Sequence, residues 1–405
     1  MFGRIETDAF ELSAIGNGAG HVILSRYDRI KDVSEIFGFG LNRSYQLGYK
    51  SGDITQIKYK INGKVEQISC GREHSLILAT ESQRKVLYAC GNNSYGQLGV
   101  LNPGIKTGKS DDDFRLGSKH ELVEVKSVEL AIAKTDSIRQ IKCGLDHSVI
   151  LTDSGKVFCF GWNNDGQLGN SKFENSSMFS ATNEIGGLDS EKDCSSISDL
   201  SLIASVAGLN GKLIERIDTS TDFTFALSGR GLARGNDTII NNTAIDDSNG
   251  SELFCWGNAE YKNNMANLDA DRILEPVKVN FNYGKIVSFA AGGAHSVVAT
   301  EDGHVYTAGF GAIGLGSENE PLKSANTPTR IENLKDIVSV YSSTDYCLAK
   351  DKFGKFFAWG LNNSYGVLGT GTSGHSYTPT EIKTGHLNLH PESQVYLGNK
   401  CVLIY

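Results

Sequence analysis

Proline is scarce in this 405-residue chain, at six residues, and no run of eighteen apolar residues occurs anywhere in it. The second absence excludes a membrane-spanning helix, which needs about twenty consecutive apolar residues. The eight cysteines, Cys70, Cys90, Cys143, Cys159, Cys194, Cys255, Cys347 and Cys401, include no C-x-x-C pair. Zinc ribbons, dithiol redox motifs and a dense disulfide framework are therefore excluded. Most of these thiols lie before or within apolar strand-like stretches, so they are expected to be buried in a reducing compartment. Positive charge is also short: 39 Lys and Arg against 47 Asp and Glu leave a formal charge of −8. The molecule as a whole repels polyanions, and any nucleic-acid contact has to be a local basic patch. The opening MFGRIETDAFEL carries one arginine and three acids, unlike a signal or transit peptide.

Glycine, by contrast, is abundant at 46 residues. Without collagen period or low complexity, that points to many tight turns where only a residue lacking Cβ fits, and so to an all-β chain. One cluster imitates a dinucleotide fingerprint. Gly309-Phe310-Gly311-Ala312-Ile313-Gly314 follows an apolar stretch, with Glu332 further on. The fingerprint works only where the glycines open a helix onto a pyrophosphate. Leu315, Gly316, Ser317, Pro321 and Pro328 follow instead, with no helical period. The chain also lacks G-x-S-x-G, G-x-x-x-x-G-K-[ST] and H-E-x-x-H. No enzyme, catalytic residue, metal site or cofactor is expected.

The glycines belong to a repeat. QISCGREHSLILATESQRKVLYACGNNSYGQLG (67–99) is echoed by QIKCGLDHSVILTDSGKVFCFGWNNDGQLG (140–169), and more loosely by 289–316 and 340–369. A turn glycine recurs at Gly40, Gly91, Gly161, Gly257, Gly309 and Gly360. Each unit runs as an apolar strand, a G-x-x-H turn, a second apolar strand, a short turn, an aromatic-rich strand and a G-x-N-x-x-G-Q-L-G loop. Alternating short strands at this period predict a propeller of four-stranded blades in one domain, 1–405. The units fall at about 10–50, 51–100, 125–170, 212–260, 285–318, 330–372 and 380–405, with insertions at about 101–120, 170–212 and 229–252. The first half of the unit occurs seven times and the second half six, so seven blades are expected, one of them short of two strands. Upstream sequence in a longer form would supply the missing half.

The G-x-x-H position holds His21, His74, His147, Phe223, His295, Tyr346 and Cys401 in turn. A catalytic imidazole would occur once, with a carboxylate or nucleophile aimed at it. One per unit, exchangeable for phenylalanine, reads as structural. Trp162, Trp256 and Trp359 sit at the third strand and are expected to pack between blades, with base stacking as the weaker alternative. Asp111 to Asp113 and Asp246-Asp247 read as solvated loop charge.

The motifs CGxxHS and GxNxxGQLG resemble those of the regulator of chromosome condensation family over nearly the whole chain. GFGLNRSYQLGYK, ISCGREHSLIL with GNNSYGQLG, and CWGNAEYKNN leading into HVYTAGFGAIGLG are most similar to its mitochondrial exchange-factor-like branch. That resemblance implies a seven-bladed β-propeller in the mitochondrial matrix or on the inner membrane. It implies a scaffold for large ribosomal subunit assembly, with ribosome-assembly and RNA-modification proteins, ribosomal RNA and the membrane periphery as partners. It also implies a rival role, guanine-nucleotide exchange on a mitochondrial GTPase, for which GRGLARGNDTIINNTAIDDSNGSE (229–252), with Arg230, Arg234, Asn236 and Asp237, is the candidate contact loop. A third reading, a nuclear exchange factor for a small GTPase, follows from the family name, and the acidic balance counts against it.

Overall fold

The second strand of a repeat carries a central run of consecutive apolar residues, such as Leu76–Ala79 and Val149–Leu151, where a half-buried strand would alternate, and the computed structural model gives the reason. In β6 (His74–Glu81), Leu76 and Leu78 enter one core while Ile77 and Ala79 enter another. In β22 (Tyr346–Asp351), Cys347 and Ala349 face one neighbour while Tyr346 and Leu348 face the next. Successive side chains point to opposite faces of a strand, so a sheet packed on both sides needs an unbroken apolar run. Each fully buried aliphatic side chain contributes roughly 1.5–3 kcal/mol.

The structure describes residues 10–49, 54–100, 119–126, 131–132, 134–171, 204–229, 251–317, 322–363, 366–383, 395–397 and 402–404. The chain divides into two compact units, Met1–Asn164 with Lys172–Val206 and Asp165–Ser171 with Ala207–Tyr405. In the first unit, β1 (Phe10–Asn17), β2 (His21–Asp28), β3 (Val33–Leu41) and β4 (Ile54–Asn62) form the first sheet. The second contains β5 (Lys64–Cys70), β6, β7 (Arg84–Gly91) and β8 (Lys119–Glu124). The third contains β9 (Ile138–Cys143), β10 (His147–Thr152), β11 (Val157–Gly161) and β12 (Ala204–Ser205).

In the second unit, β13 (Ile214–Thr219), β14 (Phe223–Ser228), β15 (Glu252–Asn258) and β16 (Arg272–Lys278) form the fourth sheet. The fifth contains β17 (Ile286–Ala291), β18 (His295–Thr300), β19 (Val305–Gly311) and β20 (Lys323–Arg330). The sixth contains β21 (Ile337–Ser342), β22, β23 (Phe356–Gly360) and β24 (Ser376–Glu381). The seventh has two described strands, β25 (Val395–Leu397) and β26 (Val402–Ile404). All strand pairings are antiparallel between chain neighbours, the sheet of a propeller blade. The all-β fold class expected from the repeat is the one found.

The sequence periodicity locates three strands per unit, and the structure adds the outermost fourth. Residues 54–62, assigned by the repeat to a unit starting at 51, pair with β3 and complete the first sheet. The fourth strands lack the continuous apolar run of the second strands, and Pro276, Pro328 and Pro379 lie in three of them. An outer strand has one edge without a ladder partner, the place in a sheet where a missing N–H is tolerated.

Candidate interaction face

The repeated glycine and histidine stand opposite each other across the second and third strands. The Cα partners are His21 with Gly40, His74 with Gly91, His147 with Gly161 and His295 with Gly309, while Phe223 faces Gly257 and Tyr346 faces Gly360. All six glycines have φ between +103° and +119°. At Gly91 a Cβ would sit 2.3 Å from the Glu73 carbonyl oxygen and 2.8 Å from His74 Cα. This crowding leaves no room for a side chain, because the next amide, Asn92 N–H, donates to that same Glu73 carbonyl at 2.8 Å. The glycine thus folds the chain back over the G-x-x-H turn, and Gly309 does so at the false fingerprint.

The first glycine of G-x-x-H has a different task. A Cβ on Gly71 would lie 2.3 Å from His74 Cε1 and 2.5 Å from Nδ1. The imidazole therefore lies over a bare Cα. Gly18 and Gly292 are likewise beneath His21 and His295. Where the ring is Phe223 or Tyr346, the residue three before it is Ser220 or Ser343.

Three of these imidazoles reach visibly into the neighbouring sheet. His21 Nε2 is 2.8 Å from Ser75 Oγ, His74 Nε2 is 3.1 Å from Ser148 Oγ, and His295 Nε2 is 3.1 Å from Cys347 Sγ. Ser75 O–H donates to Gln46 O at 2.7 Å and Ser148 O–H to Gln97 O at 2.8 Å. A hydroxyl has one proton, so both serines accept from the imidazole, which must carry its hydrogen on Nε2. The Nδ1 atoms of His21 and His74 are then bare acceptors, and both are buried without a hydrogen-bond partner. Burial pushes the pKa of His21, His74 and His147 down to about 3, and that of His295 to about 4. These rings are neutral, fixed and closed to solvent. They hold sheets together and are unsuited to acid–base chemistry.

A second polar device, which the repeat did not reveal, covers the inner edge of the sheets. Gln67 of β5 donates to Arg139 O at 2.7 Å and accepts from Ile141 N–H at 3.0 Å, and Ser69 accepts from Cys143 N–H at 2.9 Å. In the second unit Arg216 of β13 donates to Val287 O at 3.1 Å with its guanidinium over Phe289, and Asp218 accepts from Ala291 N–H at 3.0 Å. Ser288 accepts from Val340 N–H at 3.1 Å. Side chains of one innermost strand thereby satisfy the unpaired backbone of the next, which would otherwise remain an open template. The sequence signal was available: a polar residue four positions before the turn residue, at Gln67, Gln140, Arg216, Ser288 and Ser339.

The G-x-N-x-x-G-Q-L-G loops brace themselves. Asn93 accepts from Leu98 N–H at 3.0 Å and donates to Val100 O at 2.9 Å, while Gln97 accepts from Tyr95 N–H at 2.9 Å. Asn42 and Gln46 repeat the pattern. These loops share one end of each sheet with the G-x-x-H turns, because the second strand of each unit starts opposite the end of the third. What remains outward is a set of loop side chains on a fixed frame. In the first unit Tyr95 packs edge-on to Trp162 at 4.4 Å, and Arg72 pairs with Asp146. In the second, Tyr261, Phe310 and Leu361 are exposed. Trp256 and Trp359 are fully buried, and Trp256 Nε1–H donates to Gln167 O at 2.9 Å, so neither can stack on a base.

The candidate loop residues Arg230, Arg234, Asn236 and Asp237 lie outside the described residues. The segment leaves β14 and rejoins β15 at the opposite end of the sheet from the G-x-x-H turn. Among the described residues no group of His, Cys, Asp or Glu is arranged to hold a metal ion. The six described cysteines are free and buried, and burial raises their thiols, Cys143 and Cys347 to about 12.

Comparison with known proteins agrees with this architecture. A family model described as the regulator of chromosome condensation repeat matches residues 65–97 and 138–167, and a second of the same description matches 34–78. The mouse "RCC1-like G exchanging factor-like protein" is 27% identical over 403 residues, covering 94% of this chain and 74% of the relative. The human protein of that name is also 27% identical, over 94% of this chain and 73% of its own. Among solved structures, human WBSCR16 matches with a TM-score of 0.72 at 24% identity, over 99% of this chain and 88% of that one.

Proposed function

Because this chain is a regulator of chromosome condensation repeat protein, we propose that it is a non-enzymatic propeller scaffold that works in mitochondria. It supports assembly of the large ribosomal subunit and modification of its RNA by holding protein partners, with RNA reached through them or at a local basic patch. The observation that carries this reading is the condition of the repeated histidines. The residues most suited to acid–base chemistry are buried, neutral and committed to joining sheets, while braced loops carry the outward side chains. Rigid sheets with variable loops suit recognition. The test is localisation of a tagged full-length protein followed by its depletion. Mitochondrial signal with reduced large-subunit RNA and reduced mitochondrial translation is the expected result. Unchanged RNA and translation would overturn the proposal.

A second reading, guanine-nucleotide exchange, is supported by the name of the relatives, "G exchanging factor-like". Exchange needs no acid or base, because a protein that binds the empty GTPase better than the loaded one expels nucleotide. Nucleotide release from mitochondrial GTPases, with and without residues 230–250, tests it. Acceleration by the intact chain and loss on deletion is the expected result for an exchange factor, and equal, unaccelerated release in both removes the activity.

A further inference from the structure

In the second unit, two aromatic rings stand open to water at the end of the sheets where the braced loops lie. Tyr261, in the loop after β15, and Phe310, at the end of β19, have centroids 6.5 Å apart and ring planes within 24°. Tyr261 remains 43% exposed and Phe310 44%. The corresponding pair in the first unit, Tyr95 and Trp162, is packed edge-on at 4.4 Å and half-buried. The same loop positions are thus closed in one unit and open in the other.

Acids outnumber cations on the loops and turns that carry the open pair. Glu260, immediately before Tyr261, is exposed, and its carboxylate has no cationic partner among the described residues. Lys262, immediately after it, binds Asp269 at 2.8 Å and lies 3.8 Å from Asp271, so two exposed carboxylates share one ammonium. On the next sheet but one, the exposed carboxylate of Asp345 has no partner among the described residues. Its turn is tied to the turn beneath Phe310 by Gly293 N–H donating to Thr344 O at 3.0 Å. Lys323, opposite Gly311, is a cation at the same end, as is Arg272, which follows Asp271 and binds Asp165 at 2.7 Å, so five carboxylates stand against three cations.

We propose that the Tyr261–Phe310 pair and the carboxylates beside it form a docking site for an arginine-bearing basic segment of a protein partner. A guanidinium is planar, stacks on an aromatic face and presents a fork of donors to a carboxylate, whereas an ammonium offers a point charge. Both elements of that recognition are present in two consecutive loop residues, Glu260 and Tyr261. A nucleic acid is disfavoured because its phosphates would face the carboxylates.

Fluorescence anisotropy of a fluorescein-labelled peptide of alternating glycine and arginine, titrated with the full chain, tests the site. The arginine peptide binds, its lysine counterpart binds roughly 3- to 10-fold more weakly, and its glutamate counterpart does not bind. Tyr261→Ala and Phe310→Ala each weaken arginine-peptide binding about 3- to 30-fold. Phe353→Ala, an aromatic 65% exposed at the opposite end of the sixth sheet, has no effect. Both rings are exposed, so circular dichroism of the variants matches the parent. Failure of the parent to bind the arginine peptide, equal affinity for the lysine peptide, or full affinity in the Tyr261→Ala/Phe310→Ala double variant overturns the inference. So does tighter binding of a single-stranded RNA of the same length. The inference rests on the scaffold reading but fails separately: depletion without effect on mitochondrial translation removes that role, whereas flat titrations remove this site alone.

Discussion

The Nε2 of His74 lies 3.1 Å from the Oγ of Ser148, a residue of the next sheet whose own proton already goes to Gln97 O. Protonating that ring would place a second proton on a buried Nδ1 that has no partner to receive it. Burial accordingly pulls the folded pKa of His74 to about 3, from an ordinary value of 6.5. A histidine whose folded pKa is depressed contributes its stability in full above the unfolded pKa and loses it as pH falls toward the folded one. Carboxylates titrate mainly below about 4.5, so the interval from pH 7 to pH 5 isolates the histidines. Over that interval each such ring removes about 2 kcal/mol. Urea unfolding at the two pH values should show a steep loss of stability, shallower by about one proton in His74→Asn. An identical slope in parent and variant would contradict the neutral-ring assignment.

Gly91 and Gly211 both have positive φ, +105° and +78°, and alanine separates their roles. At Gly211 nothing lies within 4 Å of the place an added methyl would take, whereas at Gly91 the Glu73 carbonyl oxygen would be 2.3 Å away. Gly211→Ala should cost about 1 kcal/mol, the conformational penalty alone. Gly91→Ala adds a backbone clash in the turn that carries His74 and should cost at least about 3 kcal/mol. Chemical denaturation of the two variants side by side measures the difference, and equal losses would mean that the turn relaxes freely.

The buried thiols Cys70, Cys90, Cys143, Cys159, Cys255 and Cys347 are held as neutral S–H groups by desolvation. The thiolate is the reactive species, so alkylating reagents should leave these six unmodified in the native protein at pH 8 and modify them in urea. Peptide mapping after labelling reads each residue separately. Rapid native labelling of Cys90 or Cys159 would show that the sheets open locally.

The parts of this fold that were legible in the sequence share a physical cause. A middle strand with both faces buried must be apolar throughout, as at Leu76 to Ala79, and a turn with φ near +105° whose Cβ direction is blocked by a carbonyl must be glycine, as at Gly91. Both constraints act on one residue at a time and recur in every unit. The fourth strand expected in each blade could not be placed from the repeat because an outer edge tolerates Pro328 and Pro379 as readily as valine, so no pattern is imposed. The open aromatic pair was equally hidden: Tyr95 and Tyr261 occupy the same place in the repeat, yet one packs edge-on to Trp162 and the other lies open beside Phe310.

Inter-sheet capping was also missed, because Gln67 and Arg216 look like ordinary polar residues at the end of a strand. Their partners are main-chain atoms 72 and 71 residues away. Gln67 both donates to Arg139 O and accepts from Ile141 N–H, so a side chain of similar volume without these atoms leaves the part-buried Ile141 N–H unpaired and hands the exposed Arg139 O to water. Gln67→Met should therefore destabilise the chain by about 1–3 kcal/mol, although it adds apolar surface. Gln67→Glu keeps the acceptor and loses the donor, and should fall between the two. Hydrogen exchange gives a local reading that a general loss of stability would not: the Ile141 amide should exchange faster in Gln67→Met than neighbouring amides of β9 whose ladder bonds to β10 are intact. If stability changes by less than about 0.5 kcal/mol and Ile141 remains protected, the sheets are joined by apolar contact and the imidazole bridges alone.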